Sequence, residues 1–387
     1  MVILTMKVLI VSRYPPFFIG GAEKLIRDLG LALAKIGYEV IYFSLKPKSS
    51  INELKKSEKL HMKYRFASVK ARKGMISYAS YFSEKVYKEY RKIIEVESPD
   101  LVIDNAAPIP YYPMHFFDTS MQKEIIKIIY VHAIFEDYGF KFMNPIFATL
   151  IYLHEKLYRL LKDAKIIVNG KSTRDRLKKL LRNIDKNIYI LNPSINIKYF
   201  KPKIVLEETY ALCLTRLDYR KDLETLLKAW KILDTDIVLK IAGDGPKKEM
   251  LLKLKEKLNL SNVEFLGKVN ETEKIKLYRD AFIYILPTWF EGYGITILEA
   301  MASGTPVISY NTWGVRDIVI DGENGLLARP NPQELAKKIS VLIDNKSLRL
   351  KLAKNGIKTA ERHDFKIFIH KVKRIIDNII SEKDGSG

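Results

Sequence analysis

Residues 282–311 read FIYILPTWFEGYGITILEAMASGTPVISYN and predict, in order, a strand, a loop, a helix and a second strand. The two outer runs are apolar and rich in β-branched and aromatic residues, as buried strands are. Between them, a loop leads to a helix that begins near Ile295 and ends in a turn at Gly304. Two parallel strands joined by a helix form a βαβ unit, which implies a parallel sheet covered on both faces.

The same alternation of strand and helix extends over most of the 387 residues. It starts with KVLIVS at position 7 and begins again with YALCLTRL at 210. Between the two series, residues 192–208 contain two prolines and show no clear periodicity, so they mark a domain boundary. The chain is also too long for one hydrophobic core of usual size. We predict an α/β protein with two doubly wound domains, residues 1–200 and 201–365.

The chain is strongly basic, with 66 Lys and Arg against 45 Asp and Glu and a formal net charge of +21. This surplus predicts an anionic partner, which is a nucleic acid, an acidic membrane surface or a phosphorylated small molecule. Cys213 is the only cysteine, which excludes an internal disulfide and agrees with a reducing compartment. Apolar runs are shorter than a membrane span, and no signal peptide is recognised. We expect a cytoplasmic protein, or one docked on the cytoplasmic membrane face.

Ligands of open parallel sheets bind beyond the carboxyl ends of the strands, so the residues that follow strands are the informative ones. In the first half, Gly20 and Gly21 precede a helix, whose N-terminal N–H groups suit a phosphate. The alternative is an ordinary strand-to-helix turn that needs a positive φ. His132 closes the strand IIYVHA and is a candidate polar contact to a ligand, although most lone histidines are structural.

In the second half, Arg216 and Lys221 lie between a strand and a helix. A guanidinium and an ammonium are the usual groups that bind a diphosphate, although two surface cations are common in so basic a protein. Gly243 and Gly267 each follow a strand and are either simple turns or exposed backbone for a nucleobase.

Two carboxylates stand eight positions apart in the opening stretch. Glu291 falls in the loop after a strand, whereas Glu299 falls about one turn into the next helix. Gly292 and Gly294 lie between them, where backbone N–H groups face a bound anion at the helix start. The alternative for Glu299 is an acid that merely complements the helix dipole.

The combination of FEGYG and EAMASGTPVI resembles the E-x7-E motif of the retaining glycosyltransferase family 4, the group 1 glycosyltransferases. The segments PPFFIGGAEK, TRLDYRK, IAGDGP and DGENGLL occur in the family's order, so the resemblance covers nearly the whole chain. It implies the GT-B fold, in which two Rossmann-like domains face a deep interdomain cleft. It also implies that the last helix, about 366–383, crosses back onto the first domain.

The resemblance further implies the reaction. A hexose would move from a nucleotide-diphosphate sugar, of the GDP-mannose or UDP-glucose type, to a hydroxyl of a lipid-linked sugar or glycan, without a metal or other cofactor. Glu291 would contact the transferred sugar, and Glu299 would accept the ribose hydroxyls. The implied catalytic residues are Glu291, Arg216, Lys221 and His132. The implied donor-binding residues are Gly20, Gly21, Gly243, Gly267, Gly292, Tyr293, Gly294, Ile295 and Glu299.

Basic residues are concentrated in one first-half stretch, Lys55–Lys73, where Glu58 is the only acid. Its cations are Lys55, Lys56, Lys59, Lys63, Arg65, Lys70, Arg72 and Lys73. This stretch is either a solvated face or a surface that docks on anionic lipid. Two other functions stay open: a nucleotide-sugar epimerase of the same fold, and a non-catalytic nucleic-acid-binding protein. Because no helix-turn-helix, RRM or KH signature is present, we predict no nucleic-acid partner.

Overall fold

The computed structural model describes most of the chain, and the division into units is clear. The described residues are 6–12, 14–16, 20–46, 62–70, 84–106, 125–134, 141, 145, 148–149, 165–181, 187–207 and 209–384. Two compact units are present, the first comprising Met1–Ser194 with Lys366–Gly387 and the second comprising Ile195–Phe365.

The helices and strands of the described residues alternate along both units. Up to the end of the first long series they are β1 (Lys7–Val11), α1 (Gly21–Lys35), β2 (Glu39–Lys46), β3 (Met62–Lys70), α2 (Glu84–Glu97), β4 (Leu101–Ala106), β5 (Ile126–Val131), β6 (Lys165–Val168), α3 (Lys171–Leu181) and β7 (Ile188–Ile190). They continue with α4 (Ile197–Phe200), β8 (Ala211–Leu214), α5 (Leu223–Leu233), β9 (Leu239–Ala242), α6 (Lys248–Lys257), β10 (Val263–Gly267), α7 (Glu271–Asp280), β11 (Ile283–Leu286), α8 (Ile295–Ser303), β12 (Val307–Tyr310), β13 (Leu326–Ala328), α9 (Pro332–Asp344), α10 (Lys346–Glu361) and α11 (Phe365–Asp384).

The first unit contains a seven-stranded parallel sheet with the order β3-β2-β1-β4-β5-β6-β7. Its central strands are buried on both faces, and Val8, Leu9 and Ile10 have no exposed surface. Such continuous apolar strands are what a parallel sheet covered by helices requires. The strand order reverses between β1 and β4, which are neighbours in the sheet.

The second unit contains a six-stranded parallel sheet with the order β10-β9-β8-β11-β12-β13. This is the doubly wound order, with its reversal between β8 and β11. One face is covered by α5 and α9, whose Trp230 and Ile339 join the same apolar cluster. On α8, Met301 lies against Gly356 of α10, where a Cβ would come within 3.2 Å of its side chain. The predicted α/β fold class of doubly wound sheets is therefore confirmed.

Gly304 ends α8 as the sequence predicts, with φ of 84°. A Cβ at this position would lie 2.9 Å from the carbonyl oxygen of Lys203. The left-handed conformation and the close backbone therefore both require glycine.

Arg349 is a buried cation that closes the end of α9, and only 2% of it is exposed. Its guanidinium donates to the carbonyl oxygens of Leu342 and Ile343 in the last turn of α9, and at 2.7 Å to that of Leu206. The last carbonyl groups of a helix have no N–H donor within the helix, so an external donor stabilises them. Arg349 thus joins two helices to the segment that precedes β8.

We predict that Arg349→Leu lowers the free energy of unfolding by about 2–4 kcal/mol, because the buried carbonyls lose a charged donor. The measurement is the shift of the urea midpoint at constant slope. Lys354→Leu, an exposed lysine on the same helix, is the matched control and should change stability by less than about 0.5 kcal/mol. Equal effects of the two substitutions would contradict this role.

Candidate active site

The loops that follow β8 and β11 are joined by backbone hydrogen bonds. Asp222 N–H donates to Pro287 O at 2.8 Å, and Trp289 N–H donates to Arg220 O at 2.9 Å. Lys221 and Thr288 form an isolated antiparallel bridge between these bonds. Two loops at the reversal of strand order are therefore held in fixed register, at the place where doubly wound sheets bind ligands.

Lys221, Thr288 and Glu291 form the centre of this joined pair of loops. The Lys221 ammonium donates to Thr288 Oγ1 at 3.2 Å and forms an ion pair with Glu291 Oε1. The Lys221 side chain is 7% exposed and the Glu291 side chain 19%. Burial lowers the pKa of Lys221 to about 7, and neighbouring Arg220 adds to this effect, whereas the Asp218 carboxylate opposes it. The structure thus brings two predicted catalytic residues into direct contact.

Arg216 is placed differently from Lys221. Its side chain is 70% exposed, and its Nε lies 3.7 Å from Asp218 Oδ2. Asp218 is instead bound closely by Arg220, whose Nη2 donates to Oδ2 at 2.6 Å. Burial alone would raise the pKa of the Asp218 carboxyl. Arg220 and Lys221 have the larger combined effect, so this pKa is lowered. Arg220 therefore orders the loop, and the Arg216 guanidinium projects into solvent.

The glycines of the EGYG segment shape the backbone next to Glu291. Gly294 has φ of 95° and precedes α8, which begins at Ile295, and Tyr293 between the glycines is buried. Gly314 of a neighbouring loop has φ of 78°, and a Cβ there would lie 2.3 Å from Glu291 O. Glycine at 314 therefore allows that loop to pack directly on the backbone that carries Glu291. Gly292 is partly exposed in the same segment.

Glu299 points to α7. Its Oε1 accepts from Lys274 Nζ at 3.0 Å, and its Oε2 accepts from the Tyr278 hydroxyl at 3.4 Å. Burial alone would lower the pKa of Lys274. Glu299 and Glu271 have the larger combined effect, so this pKa is raised. Glu299 is therefore a paired, buried carboxylate rather than an acid that only complements the helix dipole.

Gly243 and Gly267 connect the ends of three neighbouring strands. Gly243 N–H donates to Gly267 O at 2.7 Å, and a Cβ on Gly243 would lie 1.8 Å from Thr215 O. Gly267 has φ of 69°, and a Cβ there would meet no atom within 4 Å. Gly243 thus serves close backbone packing, while Gly267 leaves open space beside the strand end.

In the first unit, neither of the two glycines at the start of α1 has a left-handed backbone conformation. Gly20 has φ of 179°, an extended conformation that any residue adopts, and Gly21 is the first residue of α1. The interpretation of a turn that needs positive φ is therefore wrong for Gly20. Glu23 follows in the first helical turn, where its carboxylate is close enough to contact a Cβ placed on Gly20.

His132 is 4% exposed and lies beyond the end of β5. Its Nε2 is hydrogen-bonded to Asn105 Oδ1, at the end of β4. Burial lowers the pKa of His132 to about 3, so the imidazole is neutral at physiological pH.

Only part of the basic stretch Lys55–Lys73 falls within the described residues. Lys63 forms an ion pair with Glu39 at 2.6 Å, and Arg65 forms one with Glu97. The side chains of Lys55, Lys56, Lys59, Lys70, Arg72 and Lys73 lie outside the described residues. The two visible cations therefore have acidic partners within the unit.

Neither a metal-binding cluster nor a membrane-spanning helix is found among the described residues. No group of three or more His, Cys, Asp or Glu side chains in that part of the chain is close enough to hold a metal ion. No helix built from those residues is long and apolar enough to cross a membrane.

Two family models match the sequence and together span most of it. Residues 19–199 match the model for Glycosyltransferase Family 4, and residues 194–359 match the model for Glycosyl transferases group 1. The chain belongs to the family 4, or group 1, glycosyltransferases.

One relative and two solved structures illustrate the similarity. The alpha-1,3/1,6-mannosyltransferase ALG2 of Dictyostelium discoideum is 24% identical over 425 residues, which cover 95% of this glycosyltransferase and 97% of that protein. Sucrose-phosphate synthase from Thermosynechococcus elongatus has a TM-score of 0.81 at 20% identity, covering 97% and 100% of the two chains. Anabaena HepE in complex with UDP and glucose has a TM-score of 0.75 at 16% identity, covering 96% and 100%. The predicted GT-B fold is confirmed.

Several residues that contact the candidate site residues of this glycosyltransferase were not predicted from the sequence. Thr288 follows β11 after one proline, and Asn105 is the second-last residue of β4, so the rule that selected His132 also applies to them. Lys274 and Tyr278 carried no such signal, because they lie on a helix and meet Glu299 only through the tertiary fold.

We predict that Lys274→Met destabilises the glycosyltransferase by about 2–3 kcal/mol at pH 7, because it leaves the Glu299 carboxylate buried without its cation. The shift of the urea midpoint at constant slope measures it.

The matched control for this prediction is Lys276→Met, an exposed lysine on α7. Adding Glu299→Gln to Lys274→Met should recover part of the stability, as a double-mutant cycle would quantify. Strict additivity of the two substitutions would argue against their coupling.

Proposed function

We propose that this glycosyltransferase transfers a hexose from a nucleotide-diphosphate sugar to an acceptor hydroxyl with retention of anomeric configuration and without a metal ion. The observation that carries the proposal is the contact of Lys221, Thr288 and Glu291 at the reversal of strand order in the second unit. A buried cation and a carboxylate there provide groups for both parts of the donor, the diphosphate and the sugar.

The chemistry explains why cations and helix N-termini are needed. When the bond from the sugar C1 to the phosphate oxygen breaks, negative charge develops on the diphosphate and the sugar becomes electron-poor. Fixed positive groups stabilise this charge more in the transition state than in the ground state. Lys221, Arg216 and the N-terminus of α8 are the proposed groups that stabilise the leaving diphosphate.

The proposed course of the reaction keeps the proton within the reacting groups. The acceptor hydroxyl attacks C1 on the face that the leaving group departs from, the C1–phosphate oxygen bond breaks, and a departing phosphate oxygen takes the hydroxyl proton. Attack on that face gives retention. Glu291 contacts the sugar hydroxyls and is not itself a nucleophile in this scheme.

The remaining predicted residues have supporting roles in the proposal. Glu299 accepts the ribose hydroxyls, and Gly243, Gly267 and Gly292 to Ile295 form backbone surface for the donor. From the first unit, Gly20, Gly21 and His132 contact the donor's phosphates and sugar. The acceptor is a lipid-linked sugar or another glycan.

The donor is proposed to be of the UDP-glucose or GDP-mannose type. HepE was solved with UDP and glucose, and ALG2 is named as a mannosyltransferase, which supports glucose or mannose as the transferred sugar. A thermal-shift screen with UDP-, GDP- and ADP-sugars identifies the nucleotide. Release of a rearranged sugar nucleotide without acceptor would instead indicate an epimerase.

We also propose a cytoplasmic location with peripheral binding to anionic membranes through Lys55–Lys73. Each cation near such a surface contributes about 1 kcal/mol at low salt. Sedimentation with vesicles of anionic and of neutral lipid tests it, and equal binding to both would contradict it. The internal ion pairs of Lys63 and Arg65 reduce the charge available for this contact.

We predict that Glu291→Gln lowers kcat by about a hundredfold or more while the Kd of the nucleoside diphosphate changes less than about threefold, because the carboxylate acts on the sugar and not on the nucleotide. Steady-state kinetics and calorimetry give the two quantities. Near-normal turnover would refute the role of Glu291.

We predict that Arg216→Ala weakens binding of the nucleoside diphosphate by about tenfold, since a charge-assisted hydrogen bond contributes roughly 1.5–3 kcal/mol when both partners are held and less at this exposed site. The effect should diminish as salt rises. Lys231→Ala, on an exposed position of α5, removes the same charge and is the control. Equal losses in both variants would assign the effect to net charge alone.

A further inference from the structure

Four neighbouring strands of the first unit end in buried polar residues. Ser12 follows β1, Asn105 lies in β4, His132 follows β5 and Asn169 follows β6. Each of these residues is at most 4% exposed. The strands β1 and β4 are the pair at which the strand order reverses, so the row starts where a doubly wound sheet binds its ligand.

Hydrogen bonds connect the four residues of this row. Asn105 Nδ2 donates to Ser12 Oγ at 3.0 Å, and Asn105 Oδ1 accepts from His132 Nε2. On the other side, Asn169 Nδ2 donates to the backbone oxygen of His132 at 2.5 Å. Both the ring and the backbone of His132 are therefore held.

The direction of this chain fixes the proton of the imidazole. An amide oxygen only accepts hydrogen bonds, so the Nε2 that faces it must carry the hydrogen. A neutral imidazole has one proton, which leaves Nδ1 as an acceptor. This Nδ1 is buried and has no hydrogen-bond partner.

Among the described residues, no charged group is found to favour a second proton on the His132 ring. Burial is the only cause of its lowered pKa. Asp104, next to Asn105 in β4, is itself buried, which raises the pKa of its carboxyl well above the ordinary value. The Tyr130 ring packs on the imidazole with centroids 4.5 Å apart, and burial raises its pKa as well. A neutral acceptor nitrogen cannot bind a phosphate oxygen, whereas it can bind a hydroxyl.

The geometry points to Asn105 as a positioning residue that holds His132 with its proton on Nε2 and presents Nδ1 as the acceptor for a hydroxyl of the transferred sugar. In this arrangement the Ser12 hydroxyl accepts from the Asn105 amide nitrogen. The identity of the hydroxyl rests on the proposed function, whereas the state of the ring does not.

The state of the ring is tested without any substrate. Long-range proton–nitrogen NMR spectra of protein labelled with 15N-histidine distinguish the two neutral tautomers, and the spectrum of His132→Gln identifies the His132 signals among the six histidines. We expect a neutral ring with the proton on Nε2 throughout pH 5–8. A proton on Nδ1, as a reversed Asn105 amide would give, or a charged ring at pH 7, would overturn the inference.

Variants test the contribution of each partner. Asn105→Ala should produce a mixture of the two tautomers and lower kcat/KM for the nucleotide sugar about tenfold, the effect of losing one hydrogen bond. Ser12→Ala, a milder change, should shift the tautomer ratio less. Tyr42→Phe is the control. It removes another buried hydrogen bond of this unit, the one to Ile26 O, which involves no residue of the row. An unchanged tautomer and unchanged kcat/KM in folded Asn105→Ala would refute the positioning role.

The ligand is tested by titration with UDP-glucose and GDP-mannose, and with UDP and GDP alone. The nitrogen signal of Nδ1 should move with the sugar nucleotide that binds and stay in place with its nucleoside diphosphate. A bound sugar nucleotide that leaves Nδ1 unmoved would overturn the assignment of the hydroxyl. If neither sugar nucleotide binds, the proposed function fails, while the tautomer measurement still decides the role of Asn105.

Discussion

The backbone hydrogen bonds between the loops that follow β8 and β11 are the constraint on which the candidate site depends. These strands are neighbours only because the sheet order reverses between them, and their loops therefore leave the same edge side by side. Once the loops are paired, Lys221 and Glu291 meet although they are 70 positions apart in the chain. Gly314 then allows a third loop to pack on the Glu291 backbone. Sheet topology, rather than any local motif, creates this contact.

Charge in the second unit is arranged in pairs around that edge. Lys221 pairs with Glu291, Arg220 with Asp218, and Lys274 with Glu299. Pairing allows ionised groups to remain buried, since an isolated buried charge costs several kcal/mol. The net charge of +21 thus says little about these residues, which are close to neutral as a group. Arg216 differs because its guanidinium is exposed and only loosely bound.

The fold was predictable because its signals are local and repeated. Apolar strands, helix periodicity and the turn at Gly304 each follow from a few neighbouring residues, and the bounds of α8 agree with the opening stretch. Contacts between distant elements were not predictable. The role of Glu299 as partner of Lys274 depends on how α7 packs against α8, and the conformation of Gly20 depends on loop geometry that no pattern encodes. Asn105 was predictable in principle, because it lies at the carboxyl end of a strand, as His132 does.

The strand ends of the two units present different chemistry. Those of the second unit carry cations and carboxylates, whereas Ser12, Asn105, His132 and Asn169 of the first unit are all uncharged. A neutral imidazole accepts a hydrogen bond from a hydroxyl group through its lone pair and repels an anion. The ammonium and guanidinium groups of the second unit attract anions instead, so the strand ends of each unit favour a different class of ligand group.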